Sequence, residues 1–247
     1  MKKVHLLPNL LTAGNFFCGI VSITHSLNGQ FVVASIWIFI AMFFDFFDGH
    51  MARISKSASK FGEQFDSLSD LLGFGIAPMI MVYEMSLNQF GRLGLAIAFI
   101  YAVCAALRLA RYNARLNPDV KRTHFDGLPT PAAAGLICSS VLAASRYDLK
   151  ILSTILPFLM ILAAFLMVSN FEYPSVQAFG LKNKKPFVYL VLTIFALGGL
   201  IFFIELFLMI FALLYAMLGF TGDWLIHDLH HQEDTQVDAH QHMQELP

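Results

Sequence analysis

Apolar runs alternate along the chain with short polar segments that hold most of the charge. A run of roughly 17 to 25 apolar residues is long enough to cross ~30 Å of hydrocarbon as a helix. The pattern predicts helices near 8–27, 31–50, 67–86, 92–112, 131–146 and 150–169. A last apolar run covers 187–220, which as one helix would reach about 51 Å. Gly198, Gly199 and Glu205 offer a break, so it reads as two short spans. The expected fold is all-α, a polytopic transmembrane bundle of about eight spans, or seven if the last run stays whole.

Composition agrees with that class. The chain has 247 residues, 57% hydrophobic and 13% charged, which excludes an ordinary soluble domain. Its net charge of −1 says nothing about partners, and no nucleic-acid partner is expected. The distribution of charge says more. With the N-terminus inside, Lys2, Lys3, Arg53, Lys56, Lys60, Arg108, Arg111, Arg115, Lys121, Arg122, Lys182, Lys184 and Lys185 fall on the cytoplasmic side, and only Arg92, Arg146 and Lys150 outside. This predicts a multi-pass protein of the cell membrane, with its polar face toward the cytoplasm.

The first run mimics a secretory leader after Met1-Lys2-Lys3, but Pro8, Asn9, Thr12 and Asn15 interrupt its apolar centre. Phe17 also precedes Cys18 where a lipoprotein processing site needs a small residue, so the run reads as a retained span. Cys18, Cys104 and Cys138 sit in apolar runs at no metal or redox spacing and read as reduced core residues. Residues 1–222 read as one membrane domain. Residues 223–247 read as a polar, solvated tail, whose His227, His230, His231, His240 and His242 match no closed metal site.

The chemistry concentrates in 45–70, DFFDGHMARISKSASKFGEQFDSLSD. Asp45 and Asp48 close one apolar run; Asp66 and Asp70 open the next. Carboxylates at the mouth of apolar segments are costly unless something compensates them, and a divalent cation does so best. On a helix, Asp45, Asp48, Gly49, Ala52 and Arg53 share a stripe roughly 140° wide. Gly62, Asp66, Asp70 and Gly73 share one of about 80° on the next helix. Two such faces turned together would form an oxygen-rich pocket for a hard cation, with Arg53 beside it as a bidentate phosphate partner. That combination suits phosphoryl-group transfer.

The pattern D-x-x-D-G-x-x-A-R, eight residues, then G-x-x-x-D-x-x-x-D is complete from Asp45 to Asp70. It resembles the signature of the CDP-alcohol phosphotransferases, integral membrane enzymes of phospholipid synthesis. The resemblance implies that two divalent cations, Mg²⁺ or Mn²⁺, are held by Asp45, Asp48, Asp66 and Asp70. It implies that Asp70 also acts as general base, a ranking that the residues alone leave open. It further implies a CDP headgroup held by Asn9, Thr12, Gly49, Ala52, Arg53, Ser59 and Gly62, and a homodimer in the membrane.

A second informative stretch is 108–135, RLARYNARLNPDVKRTHFDGLPTPAAAG. Arg108, Arg111 and Arg115 recur at helical spacing, and Gly127 to Pro131 form a rigid turn that restarts a helix. RLARYN, FDGLPTPAAAG and the opening LPNLLT resemble the membrane-spanning, serine-accepting branch of that family. The implied substrates are CDP-diacylglycerol, drawn from the surrounding membrane lipid, and L-serine. Arginine clamps a carboxylate bidentately, so Arg108 and Arg111 are the candidates for serine, with Asn113 and Thr130 behind them. Two alternatives stand: the same chemistry on glycerol 3-phosphate or inositol, and a cation carrier with acids along its path. A carrier would place its acids nearer the bilayer midplane.

Overall fold

The computed structural model describes residues 6–54, 59–114, 124–147, 149–174, 206, 208–210 and 212–217. Four of its helices are long and apolar enough to span a membrane. They are α1 (Leu6–Leu27), α2 (Phe31–Ile54), α3 (Lys60–Phe90) and α4 (Arg92–Ala114). Two shorter helices come next, α5 (Thr130–Arg146) and α6 (Lys150–Val168). The only strands among the described residues, β1 (His124–Asp126) and β2 (Glu172–Pro174), pair antiparallel close to the turn that leads into α5. Most of 187–220 and all of 223–247 lie outside the described residues, and the expected last spans and tail lie there with them.

The packing is that of a membrane bundle, with small residues inside and large ones outside. Ala34, Ala41, Ala98, Ala105, Ala133 and Ala134 are fully buried, while Leu10, Phe43, Phe61, Leu93, Phe99 and Phe158 project outward. Without a hydrophobic drive between helices in lipid, close backbone approach supplies the contact, and small side chains permit it. α1 and α2 form a tight hairpin through Gly29 at φ 71°. α3 packs on α1, α5 on α2, and α6 bridges α4 and α5. The fully buried core runs through Ile38, Phe74, Met81, Tyr101, Ile137 and Met160.

α3 begins seven residues earlier than the span expected from 67 onward, so Asp66 and Asp70 lie within the helix rather than at its mouth. Ser59 caps it, accepting from the Gly62 N–H at 3.0 Å. The polar first turns carry low mean hydropathy, which is why the apolar pattern missed them. Directly after Asp70 the helix widens: the Ala77 N–H reaches Leu72 O, five residues back. Each extra residue in a turn rotates the remainder of the helix by roughly 100° relative to an unbroken α-helix, and such widenings favour functional sites. Pro78 comes immediately after and has no N–H to give to Phe74 O. The hydroxyl of Tyr101 on α4 donates to that carbonyl instead, at 3.1 Å.

Candidate active site

The ends of α2 and α3 bring the motif carboxylates together. One oxygen from each of Asp45, Asp48 and Asp66 lies within 4.8 Å of the others. Asp70 lies one turn along α3 from Asp66, close enough for its charge to act on Asp45, Asp48 and Asp66. Asp48 and Asp70 are buried; Asp45 and Asp66 are half-buried.

α1 supplies the polar wall. Thr12 Oγ1 donates to Asp48 Oδ2 at 2.8 Å, and Asn15 Nδ2 donates to Asp70 Oδ1 at 3.0 Å. Ser69 Oγ returns a hydrogen bond to Thr12 O at 3.0 Å, so α1 and α3 hold each other on both sides of Asp70. Their backbones meet just beyond. A Cβ on Gly19 would stand 3.2 Å from the Gly73 Cα, and one on Gly73 would stand 2.8 Å from Asn15 Oδ1. Glycine at both positions permits that close approach.

These groups fit a divalent cation. The donors are hard oxygens from carboxylates on two helices, the set that Mg²⁺ and Mn²⁺ prefer. Asp66 Oδ1 is buried and has no hydrogen-bond partner among the described residues. A buried carboxylate oxygen left unpartnered is costly unless a cation satisfies it. Three carboxylates so close need the same compensation.

Asn9, Ser59 and Gly62 converge where α1 meets the start of α3. A Cβ on Gly62 would lie 3.2 Å from Ser59 Oγ and 3.4 Å from Asn9 Oδ1. Gly49, one residue beyond Asp48, has no atom of another described residue outside its own helix turn within 4 Å of where its Cβ would be. Ala52 and Arg53 fall in the last turn of α2, and their side chains lie outside the described residues.

The four expected acceptor residues separate. Arg108 is almost buried, and its charge acts on Asp70 and Asp45 from α4. Its Nη1 donates to Thr130 Oγ1 at 2.9 Å, and the guanidinium stands 6.0 Å above the Tyr112 ring. Its Nε has no hydrogen-bond partner among the described residues. Arg111 points away, onto the end of α6, and donates to Val168 O at 2.9 Å and Ser169 O at 3.3 Å. Asn113 donates to Ser67 Oγ at 2.8 Å and ties α4 to α3 beside Asp66. Arg108 and Arg111, neighbours on one face of α4, therefore reach different partners, and Asn113 leaves the helix from another side. Arg108 and Thr130 are at the cavity; Arg111 and Asn113 hold the helices around it.

Asn15 and Ser69 were not among the candidates read from the sequence. Asn15 carried a signal, since it continues the three-residue spacing of Asn9 and Thr12 along α1. Ser69 carried none.

A family model for CDP-alcohol phosphatidyltransferases matches residues 5–169, the segment that contains every carboxylate of the cavity, Arg108 and Thr130. The chain belongs to that family. It is a membrane transferase of the CDP-alcohol type. It is similar to the CDP-diacylglycerol–serine O-phosphatidyltransferase of Helicobacter pylori, at 38% identity over 177 residues, 71% of this chain and 74% of the relative. The protein of the same name in Bacillus subtilis is 32% identical over 186 residues, 74% of this chain and 97% of the relative. An archaetidylserine synthase of Methanothermobacter thermautotrophicus is 35% identical over 176 residues, 70% of this chain and 72% of the relative.

Proposed function

We propose that the chain transfers the phosphatidyl group of CDP-diacylglycerol to L-serine, giving phosphatidylserine and CMP. The observation that carries this reading is Arg108, a nearly buried guanidinium on α4 held by Thr130, whose charge acts on Asp70. It sets a carboxylate-binding cation beside a carboxylate base, which is what an amino-acid alcohol requires. The names of the similar proteins support serine as that alcohol.

In this reading Arg108 takes the serine carboxylate and turns the hydroxyl toward Asp70. Asn15 fixes one oxygen of Asp70, leaving the other to accept the hydroxyl proton. The serine oxygen forms a bond to the phosphorus that carries diacylglycerol, and the bond from that phosphorus to CMP breaks in line. Asn9, Thr12, Gly49, Ala52, Arg53, Ser59 and Gly62 would hold the CDP headgroup, with Arg53 on phosphate. Asp45, Asp48, Asp66 and Asp70 would hold two divalent cations, Mg²⁺ or Mn²⁺, which when bound screen the diphosphate and stabilise the leaving nucleotide. The acyl chains stay in the bilayer, since extracting them would cost about 0.8 kcal/mol per CH₂.

The distribution of lysine and arginine supports a multi-pass protein of the cell membrane, of seven or eight spans, with the cavity open to the cytoplasm. The homodimer implied by the family resemblance belongs to the same proposal. Purified protein given CDP-diacylglycerol and a panel of alcohols tests the acceptor. Serine should give a lipid product and release CMP. A product with glycerol 3-phosphate or inositol, and none with serine, would contradict the reading.

A further inference from the structure

The end of α6 is a meeting point for segments far apart in sequence. Arg111 spreads its guanidinium over Val168 O, Ser169 O and, at 3.4 Å, Asn170 Oδ1. The turn before α5 lands on the same place. Leu128 N–H donates to Leu166 O at 2.9 Å, and Gly127 N–H donates to Phe171 O at 2.8 Å. Gly127 has φ 78°, and a Cβ there would stand 2.5 Å from Met167 O. Backbone and space both require glycine. β1 and β2 pair alongside, closing the two chain segments against each other.

Two residues after Leu128, fully buried Thr130 holds Arg108. The last carbonyls of a helix carry partial negative charge and lack partners of their own, so a guanidinium across them fixes where the helix ends. The turn takes its position from those carbonyls, and Thr130 takes its position from the turn.

We infer that Arg111 is a positioning residue for the acceptor site: by clamping the end of α6 it seats the Gly127–Thr130 turn, which sets Arg108 in the cavity. Arg111 never touches the substrate. The inference rests on the acceptor-binding role proposed for Arg108, and it replaces the direct role expected for Arg111.

Steady-state kinetics on the purified full chain test it, using Arg111→Gln, Arg111→Lys, Gly127→Ala and Arg108→Gln, with KM measured separately for serine and for CDP-diacylglycerol. Arg111→Gln and Gly127→Ala should each raise KM for serine about tenfold, the scale of one charge-assisted hydrogen bond, and leave KM for CDP-diacylglycerol within about twofold. Arg111→Lys, which keeps a cation at the helix end, should fall between. Combined with Thr130→Ala, Arg111→Gln should be less than additive on the serine KM, because both act through one contact. Arg111→Lys, which keeps the charge at the helix end, carries the test if Arg111→Gln yields no folded protein.

If Arg108→Gln raises the serine KM while Arg111→Gln and Gly127→Ala do not, the clamp is overturned and the acceptor reading stands. A fall in kcat with both KM values unchanged overturns it as well, since that marks a role in general stability. An unchanged serine KM in Arg108→Gln overturns the acceptor reading and the clamp with it.

Discussion

Asn15 on the first span donates to Asp70 on the third at 3.0 Å, and its own carbonyl oxygen stands where a Gly73 side chain would otherwise lie. The amide can present its NH₂ to the carboxylate only in this orientation, so one oxygen of Asp70 is committed and the other is left for chemistry. Asn15→Leu keeps approximate size and removes the donor. It should lower kcat by about 10- to 100-fold, the scale of losing a hydrogen bond to a charged group. CMP release at saturating substrates measures it, and Asn15→Asp should do no better, because it sets an acceptor against an acceptor.

Thr12 acts on the other side of the cavity, donating to Asp48 Oδ2 at 2.8 Å. Groups that orient a metal-binding carboxylate commonly alter metal affinity by about 10- to 100-fold when removed. Thr12→Val should raise the Mn²⁺ concentration that gives half-maximal activity by that order, and Thr12→Ser should restore most of it. A metal titration of CMP release reads both.

Tyr101 serves stability. Its hydroxyl fills the place of the N–H that Pro78 lacks, and it is fully buried. Tyr101→Phe leaves the Phe74 carbonyl without this donor, a loss of about 1–3 kcal/mol. The thermal midpoint in detergent should fall, while KM for both substrates holds. A midpoint equal to that of the parent protein would contradict the assigned role.

Much of this site was readable in the chain, and the reasons differ residue by residue. Asp45, Asp48, Asp66 and Asp70 were legible because helical spacing inside apolar flanks fixes both their face and their depth. Helices α1, α2 and α4 were evident from apolar length alone. The start of α3 was not, because its first turns are polar and are held by the Ser59 cap rather than by apolar burial. Arg108, Arg111 and Asn113 illustrate a second limit. Spacing gives the angle of a side chain about its own helix, but the partner depends on which neighbour ends at that height. Here α6 ends beside Arg111 and α3 carries Ser67 beside Asn113, and neither fact is local. The widening after Asp70 is a third case, since an extra residue in a turn shifts phase without any fixed sequence mark.

In the proposed mechanism, carboxylates from α2 and α3 jointly grip divalent cations for a nucleotide-activated lipid. Mn²⁺ binding, measured by electron paramagnetic resonance on purified parent protein and on Asp66→Asn, addresses that grip without relying on turnover. Binding should be saturable in the parent protein, tightened by CDP-diacylglycerol, and at least about tenfold weaker in Asp66→Asn. Equal Mn²⁺ affinity in the two proteins, with no response to CDP-diacylglycerol, would contradict it.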